Sequence, residues 1–195
     1  MMLDSLIKFT QFTVDFRNVK RVMRIPGTDD WENDAEHSFQ LALVAWYLIN
    51  ADGLDLDLPK VLQFCLAHDL VETIAGDTSI FASEEVLAGK QGREHRAALA
   101  IEELYPNFPA LHGAIREYEA RESREARFVY ALDKLLPEIN NYLDNGRLWH
   151  EKGLFVEDVE RRKTPKIAVS PEILPYHKEL MSLLRQTKGI FPAKI

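Results

Sequence analysis

Two histidines and two aspartates are the residues of this sequence whose types and positions could do chemistry together. They are His37, the adjacent pair His68 and Asp69, and Asp133, and each is expected on the inward face of a predicted helix. Burying charged carboxylates is costly unless they have a partner, and one divalent cation satisfies two imidazoles and two carboxylates at once. The set therefore predicts a metal site inside a helical core.

Each of these residues has an ordinary explanation when it is taken alone. An inward-facing histidine is more often a hydrogen-bonded core residue, and Asp133 could pair with Arg124 or Arg127. Two further acids, Glu72 and Asp77, favour the metal interpretation. They add carboxyl groups at the end of the same predicted helix and in the loop that follows it.

Two nitrogen and two oxygen ligands suit Mn, Co, Ni, Fe or Zn better than Ca, and the sequence does not choose among them. An octahedral ion with four protein ligands would keep two positions for other ligands. That consideration favours Mn or Co in vitro.

Helices must hold these residues in place, and helical periodicity dominates the sequence. Because no alternating β-branched runs are joined by a hairpin turn, we predict an all-α, single-domain bundle over residues 1–195. We expect a mobile segment after Ser83, where Gly89 and Gly92 interrupt the pattern. About seven helices are expected: 4–13, one capped by Asn33 or Asp34, 59–75 including His68 and Glu72, 93–104, 109–121, one capped by Ser123, and one from Ser170 to a stop at Gly189.

Composition excludes some partners. The 195 residues carry a formal charge of −7, so a polymeric nucleic acid is not an expected partner, whereas a small anionic substrate is compatible with a locally positive pocket. The single cysteine, Cys65, is expected to be a core residue. No signal peptide or membrane-spanning run is recognisable, so we expect a cytoplasmic protein that does not associate with a membrane.

The motifs Glu36-His37-Ser38, Ala67-His68-Asp69-Leu70-Val71-Glu72, Gly76-Asp77 and Leu132-Asp133-Lys134 together resemble the HD-domain metal-dependent phosphohydrolases. Among these, the chain most resembles the 5′-deoxynucleotidases and related small HD hydrolases. The resemblance covers roughly residues 17–141 and includes the segment Arg17-Asn18-Val19-Lys20-Arg21. It implies an HD-type helical fold and a phosphohydrolase dependent on one divalent metal ion.

Carried over residue by residue, the resemblance implies that His37, His68, Asp69 and Asp133 are the metal ligands. It also implies that Glu72 acts on the hydrolytic water or the leaving group, and that Asp77 faces the substrate sugar. A metal-bound water and a nearby carboxylate are chemically suited to those roles.

Phosphate binding requires positive groups, and Arg17 and Arg21 are the candidates because they are four residues apart. The alternative is a solvated basic patch. Characterised deoxynucleotidases of this type have an arginine and a tryptophan shortly before the Arg-Asn-Val segment, where this chain has residues 11–15 instead. Arg24 and Trp31, in a longer loop, are the possible substitutes, and Trp31 could stack on a base or pack in the core.

The expected function is hydrolysis of a (deoxy)nucleoside 5′-monophosphate or a similar small phosphate ester. Two alternatives stay open: a phosphodiesterase or pyrophosphohydrolase acting on a signalling nucleotide, and a non-catalytic metal-containing binding module. The resemblance also implies a homodimer, for which Trp149, Phe155 and the C-terminal helix could supply an interface.

Overall fold

A computed structural model describes residues 2–78 and 83–193, and these residues are mainly helical. The predicted all-α class is confirmed, with one small two-stranded sheet in addition. The elements are α1 (Met2–Phe16), β1 (Lys20–Arg24), β2 (Trp31–Asn33), α2 (Asp34–Ala51), α3 (Leu58–Ala67), α4 (Glu72–Ala75), α5 (Glu84–Leu104), α6 (Pro109–Ala120), α7 (Arg124–Leu143), α8 (Arg147–Lys152), α9 (Val156–Ile167) and α10 (Leu174–Gln186).

Helix α7 lies at the centre of the fold and packs against α2, α3, α6 and α9. It begins at the predicted cap, since the Ser123 hydroxyl accepts a hydrogen bond of 3.2 Å from the Ala126 N–H. Its inward face is apolar apart from a few polar side chains, and Asp133 is one of these, only 1% exposed. The helix therefore carries a carboxylate into the middle of the core.

A capping box fixes the start of α2. The Asn33 side chain accepts from the Glu36 N–H at 3.0 Å, and Glu36 accepts from the Asn33 N–H at 3.1 Å. Of the two predicted caps, the structure uses Asn33. His37 then falls in the first turn and is fully buried.

The strands β1 and β2 form an antiparallel hairpin in which Lys20 pairs with Asn33 and Arg24 with Trp31. The expectation that the chain has no hairpin was wrong. The pairing covers only a few residues and β1 is rich in basic side chains, so it lacks the alternation by which strands are recognised in sequence. The hairpin leads directly into α2.

Three helix boundaries also differ from the prediction. The helix from Pro59 ends at Ala67, so His68 and Asp69 lie in a turn before the short α4. Helix α5 runs without interruption from Glu84 through both glycines; packing against α4 and α6 outweighs the cost of about 1 kcal/mol per helical glycine. The last helix begins at Leu174 rather than at Ser170. The Ser170 hydroxyl instead donates to Glu172 at 2.8 Å, which forms a turn.

Two helices, α8 and α9, were not predicted. Trp149 of α8 is 2% exposed and stacks on Phe191, with the ring centroids 4.5 Å apart. The suggestion that Trp149 lies at a dimer interface was therefore wrong, because the indole is already covered within the chain. In the described part of the chain, residues 2–78 and 83–193, we find no helix that combines the length and apolar character needed to cross a bilayer.

Gly146 allows the C-terminal segment to pack closely against the backbone at the start of α8. Its φ is +72°, and an added Cβ would lie 1.9 Å from the Ile190 carbonyl oxygen. Gly153 has a similar φ of +61° but nothing lies within 4 Å of its Cβ position. The two glycines thus share the same backbone constraint and differ in packing.

We expect Gly153→Ala to lower the free energy of unfolding by about 1–2 kcal/mol, the cost of a left-handed alanine. Gly146→Ala should cost about 1–3 kcal/mol more, because the methyl group displaces the segment that carries Ile190 and Phe191. Urea unfolding of both variants measures the difference, and equal destabilisation would contradict the proposed packing role.

Candidate metal centre

Two helices bring the first pair of site residues together. His37 Nε2 of α2 lies 3.0 Å from Asp133 Oδ1 of α7, and both side chains are buried. The other ring nitrogen, Nδ1, lies 3.6 Å from Glu32 Oε2. Burial and the charge of Arg21 lower the pKa of His37 to about 4, so its imidazole is neutral near pH 7.

The turn after α3 supplies the second pair. His68 Nδ1 lies 3.0 Å from the Cys65 carbonyl oxygen, which accepts a hydrogen bond from that nitrogen and fixes the tautomer. His68 Nε2 consequently faces inward and lies 2.9 Å from Asp69 Oδ2 and 3.9 Å from Asp133 Oδ1. Because the chain turns here, both side chains point to the same place.

Ligand atoms of His37, His68, Asp69 and Asp133 all lie within 4.8 Å of one another. The His68 Nε2 atom is buried and makes no hydrogen bond with any residue that the structure describes. An imidazole whose Nδ1 is held by a backbone carbonyl and whose Nε2 faces carboxylates is the usual arrangement of a metal-binding histidine, and Nε2 gives up its proton when a metal binds. The donor set therefore fits a divalent transition-metal ion.

Arg21 of β1 lies beside this group and contacts several carboxylates. Its Nη1 lies 2.6 Å from Asp69 Oδ2 and 2.9 Å from Asp34 Oδ1, and its Nε lies 3.2 Å from Glu32 Oε2. Burial acts to raise the pKa of Asp69, but the charges of His68 and Arg21 outweigh it and hold that pKa well below its usual range. Asp69 is therefore ionised.

Glu72 begins α4 and adds a further buried acid. It is 3% exposed, and its Oε1 lies 3.2 Å from Lys90 Nζ of α5. Burial and the nearby charge of Asp69 raise the pKa of Glu72 to about 10. Glu72, Asp69 and Asp34 form a second group whose oxygen atoms lie within 4.8 Å of one another, and Asp69 belongs to both groups.

One cavity opens from these residues. Arg21, Asp69, Glu72 and Asp133 line it, and so does Asp77, which follows α4. Its remaining lining residues come mainly from β1, α5, α7, α8 and α9: Val22, Met23, Thr78, Lys90, Lys134, Pro137, Glu138, Leu148, Trp149 and Lys163.

Three lysines in this cavity were missed by the sequence analysis. Lys90, Lys134 and Lys163 come from α5, α7 and α9, which are far apart in the sequence. The Lys134 ammonium donates to Asp133, and the Lys163 ammonium lies 2.9 Å from Glu138 Oε1. Only the position of Lys134 next to Asp133 gave a signal in the sequence.

The other predicted substrate residues lie elsewhere. Arg17 is exposed at the end of α1 and lines an apolar cavity instead. Trp31 and Arg24 stack on each other, with the guanidinium carbon 4.1 Å from the ring centroid, and neither lines the cavity beside the histidines. Of the predicted cationic and aromatic residues, only Arg21 is brought to the site.

The sequence matches the HD domain family over residues 15–174. The human (Homo sapiens) 5′-deoxynucleotidase HDDC2 is 30% identical over 161 residues, which are 76% of this chain and 72% of that protein. The same enzyme of Mus musculus is 30% identical over 128 residues, 60% of this chain and 62% of that protein, so this chain spans less than two thirds of it. A crystal structure of a predicted metal-dependent phosphohydrolase from Magnetospirillum magnetotacticum MS-1 is 30% identical, with a TM-score of 0.82 over 97% of this chain and 96% of that chain.

The chain belongs to the HD domain family, as the match over most of its length shows. This confirms the resemblance inferred from the His-Asp motifs, and with it the expected enzyme class, a metal-dependent phosphohydrolase.

We expect Asp133→Asn to abolish stable metal binding, because the variant keeps the shape of the side chain but loses the charge that faces both histidines. Asp55→Asn, an exposed position outside the cavity, is the matched control. Metal content per chain after dialysis against Mn, measured by mass spectrometry, gives the comparison. Full occupancy in Asp133→Asn would remove this residue from the ligand set.

Proposed function

We propose that this phosphohydrolase is a phosphomonoesterase that acts on nucleoside or deoxynucleoside 5′-monophosphates, or on similar small phosphate esters. The observation that carries the proposal is the His-Asp group at one side of a cavity that also presents a buried acid and several cations. The name of the human relative, a 5′-deoxynucleotidase, supports the substrate class.

In this proposal His37, His68, Asp69 and Asp133 hold one divalent ion. Mn or Co is the favoured ion, since an octahedral ion keeps positions for water and phosphate beyond these four ligands. When bound, such an ion lowers the pKa of a coordinated water and polarises a phosphoryl oxygen. The Cys65 carbonyl orients the His68 imidazole from behind, and Glu32 Oε2 lies 3.6 Å from Nδ1 of His37.

Glu72 is the proposed proton-transfer residue. It follows His68 by four residues, it is buried, and its Oε2 has no hydrogen-bond partner among the described residues. Its pKa, raised to about 10 by burial and by Asp69, keeps a proton on the carboxyl group near pH 7. That favours donation of the proton to the oxygen of the leaving group.

Cations on the cavity wall supply the charge that a phosphate needs. Arg21, Lys90 and Lys134 line the cavity, and each contacts at least one of its acids, so the acids position the cations. Asp77 lies on the same wall and is the proposed contact to the sugar. Arg17 and Trp31 have no part in this arrangement.

Replacing Glu72 by Gln should lower kcat by about 10²–10⁴-fold and leave the metal content unchanged, because the amide cannot donate an acidic proton. Glu94→Gln is the matched control, since Glu94 Oε1 also lies 3.2 Å from Lys90 Nζ but does not line the cavity. Unchanged turnover in Glu72→Gln would refute the assigned role.

The function itself is tested by phosphate release from a panel of nucleotides and other phosphate esters. The protein is stripped of metal, and Mn, Co, Mg or Zn is added back. Metal-dependent release from nucleoside monophosphates is the expected result. Cleavage confined to phosphodiesters or pyrophosphates would indicate the rival phosphohydrolase, and no cleavage by a metal-loaded protein would indicate a binding module.

We also propose that the protein forms a homodimer through the outer face of α2. Phe39, Leu43, Trp46 and Tyr47 lie on that face and are 48–68% exposed. The segment 39–51 contains no charged residue, so two copies could pack there without burying an unpaired charge. Next to it, Phe39, Leu66 and Phe108 border an apolar cavity of about 530 Å³.

Leu43→Glu should convert a dimer to a monomer, because it places like charges opposite each other at a two-fold interface. Leu143→Glu is the control, since Leu143 is also exposed, at 60%, but lies on α7. Light scattering at micromolar concentration gives the mass. A wild-type mass of one chain would contradict the dimer.

Two further expectations stay proposals. We propose one domain, because the buried apolar cluster includes residues from Phe12 of α1 to Ile190 beyond α10. We propose a cytoplasmic location, which is supported by the single, buried and unpaired Cys65.

A further inference from the structure

A buried ion pair lies in the wall of the same cavity, beyond the His-Asp group. Lys163 Nζ of α9 lies 2.9 Å from Glu138 Oε1 of α7, and each side chain is 7% exposed. The Lys163 ammonium also donates to the Lys134 carbonyl oxygen at 3.3 Å. These two contacts use two of its three N–H groups.

Apolar side chains line the same cavity as this pair, together with the charged residues described above. The apolar residues are Met23, Pro137, Leu148 and Trp149. A buried ion pair seldom stabilises a fold more than apolar side chains of similar size would. The presence of this pair in the wall of the cavity is better explained by a polar ligand than by stability.

The position of the pair suits one end of an elongated substrate. Glu138 follows Asp133 by five residues on α7, which is a rise of about 7.5 Å along the helix axis. If the phosphate of a substrate binds at the His-Asp group, the Glu138–Lys163 pair is therefore placed to contact the other end of that substrate. A pentose ring is of the right size to bridge the two.

We propose that Glu138 and Lys163 bind the hydrogen-bonding edge of a nucleobase, an inference that rests on the proposed function. The carboxylate accepts from a base N–H, and the ammonium donates to the adjacent carbonyl or ring nitrogen. Leu148 and Trp149 provide apolar contact to the ring. The substrate class is then a complete nucleotide rather than a sugar phosphate.

The test compares a deoxynucleoside 5′-monophosphate with 2-deoxyribose 5-phosphate, which has the same sugar and phosphate but no base. The quantity measured is the ratio of kcat/KM for the nucleotide to kcat/KM for the sugar phosphate. We expect Glu138→Gln and Lys163→Met each to lower this ratio by about 10–100-fold, as expected for loss of a hydrogen bond to a charged group.

Two further variants complete the design. Glu138→Leu combined with Lys163→Met removes both charges at once, leaves neither buried alone, and should lower the ratio as the single variants do. Glu160→Gln removes one charge from the ion pair between Glu160 of α9 and Arg185 of α10. This pair lies outside the cavity, so the ratio should stay unchanged. Thermal unfolding of each variant verifies that it is folded.

A wild-type ratio near one, or equal losses on both substrates, would overturn the inference, because the pair would then act on the fold or on the phosphate end. Those results would leave the proposed phosphomonoesterase intact. If the metal-loaded wild type releases phosphate from other esters but from neither of these substrates, the inference is overturned alone. Absence of release from every phosphomonoester of the panel would overturn the proposed function as well.

Discussion

Four carboxylates converge in the interior of this protein, and their mutual repulsion is the constraint on which the rest of the structure depends. Glu32, Asp34, Asp69 and Asp133 come from three separate parts of the chain and all lie within 4 Å of Arg21. Like charges cannot be buried together without cations close by. One guanidinium supplies part of that charge, and a divalent ion on the adjoining imidazoles and carboxylates would supply more.

This requirement accounts for several local features that are otherwise costly. The hairpin of β1 and β2 places Arg21 and Glu32 on the same side, next to the start of α2. The break between α3 and α4 turns His68 and Asp69 toward one point, which a continuous helix would have spread by about 100° around its axis. Both features interrupt regular helical structure, and both orient side chains toward the His-Asp group.

Charge is also divided within the cavity. The lysines come from three helices, and each of them contacts an acid that lines the cavity, so a divalent ion at the His-Asp group would add the positive charge that a phosphate needs in a chain with a net charge of −7. Apolar side chains and the ion pair of Glu138 and Lys163 line the same cavity. The cavity thus combines the carboxylates of the His-Asp group with an apolar surface.

The sequence by itself determined the helical class, the cap at Ser123, and the group of four metal-binding candidates, because these depend on local periodicity, on short-range hydrogen bonds and on residue type. It narrowed the cap of α2 to Asn33 or Asp34. It grouped Arg17 with Arg21, which is four residues away in the sequence, whereas in the structure Arg17 lines a different cavity.

Only the tertiary structure decided what surrounds the site. Lys90 and Lys163 reach the cavity because α5 and α9 pack beside α4 and α7, and no spacing in the sequence reports such long-range packing. The same holds for Trp149, which the C-terminal segment covers. Local patterns specify which side chains can serve, whereas the packing of helices distant in sequence specifies which of them meet.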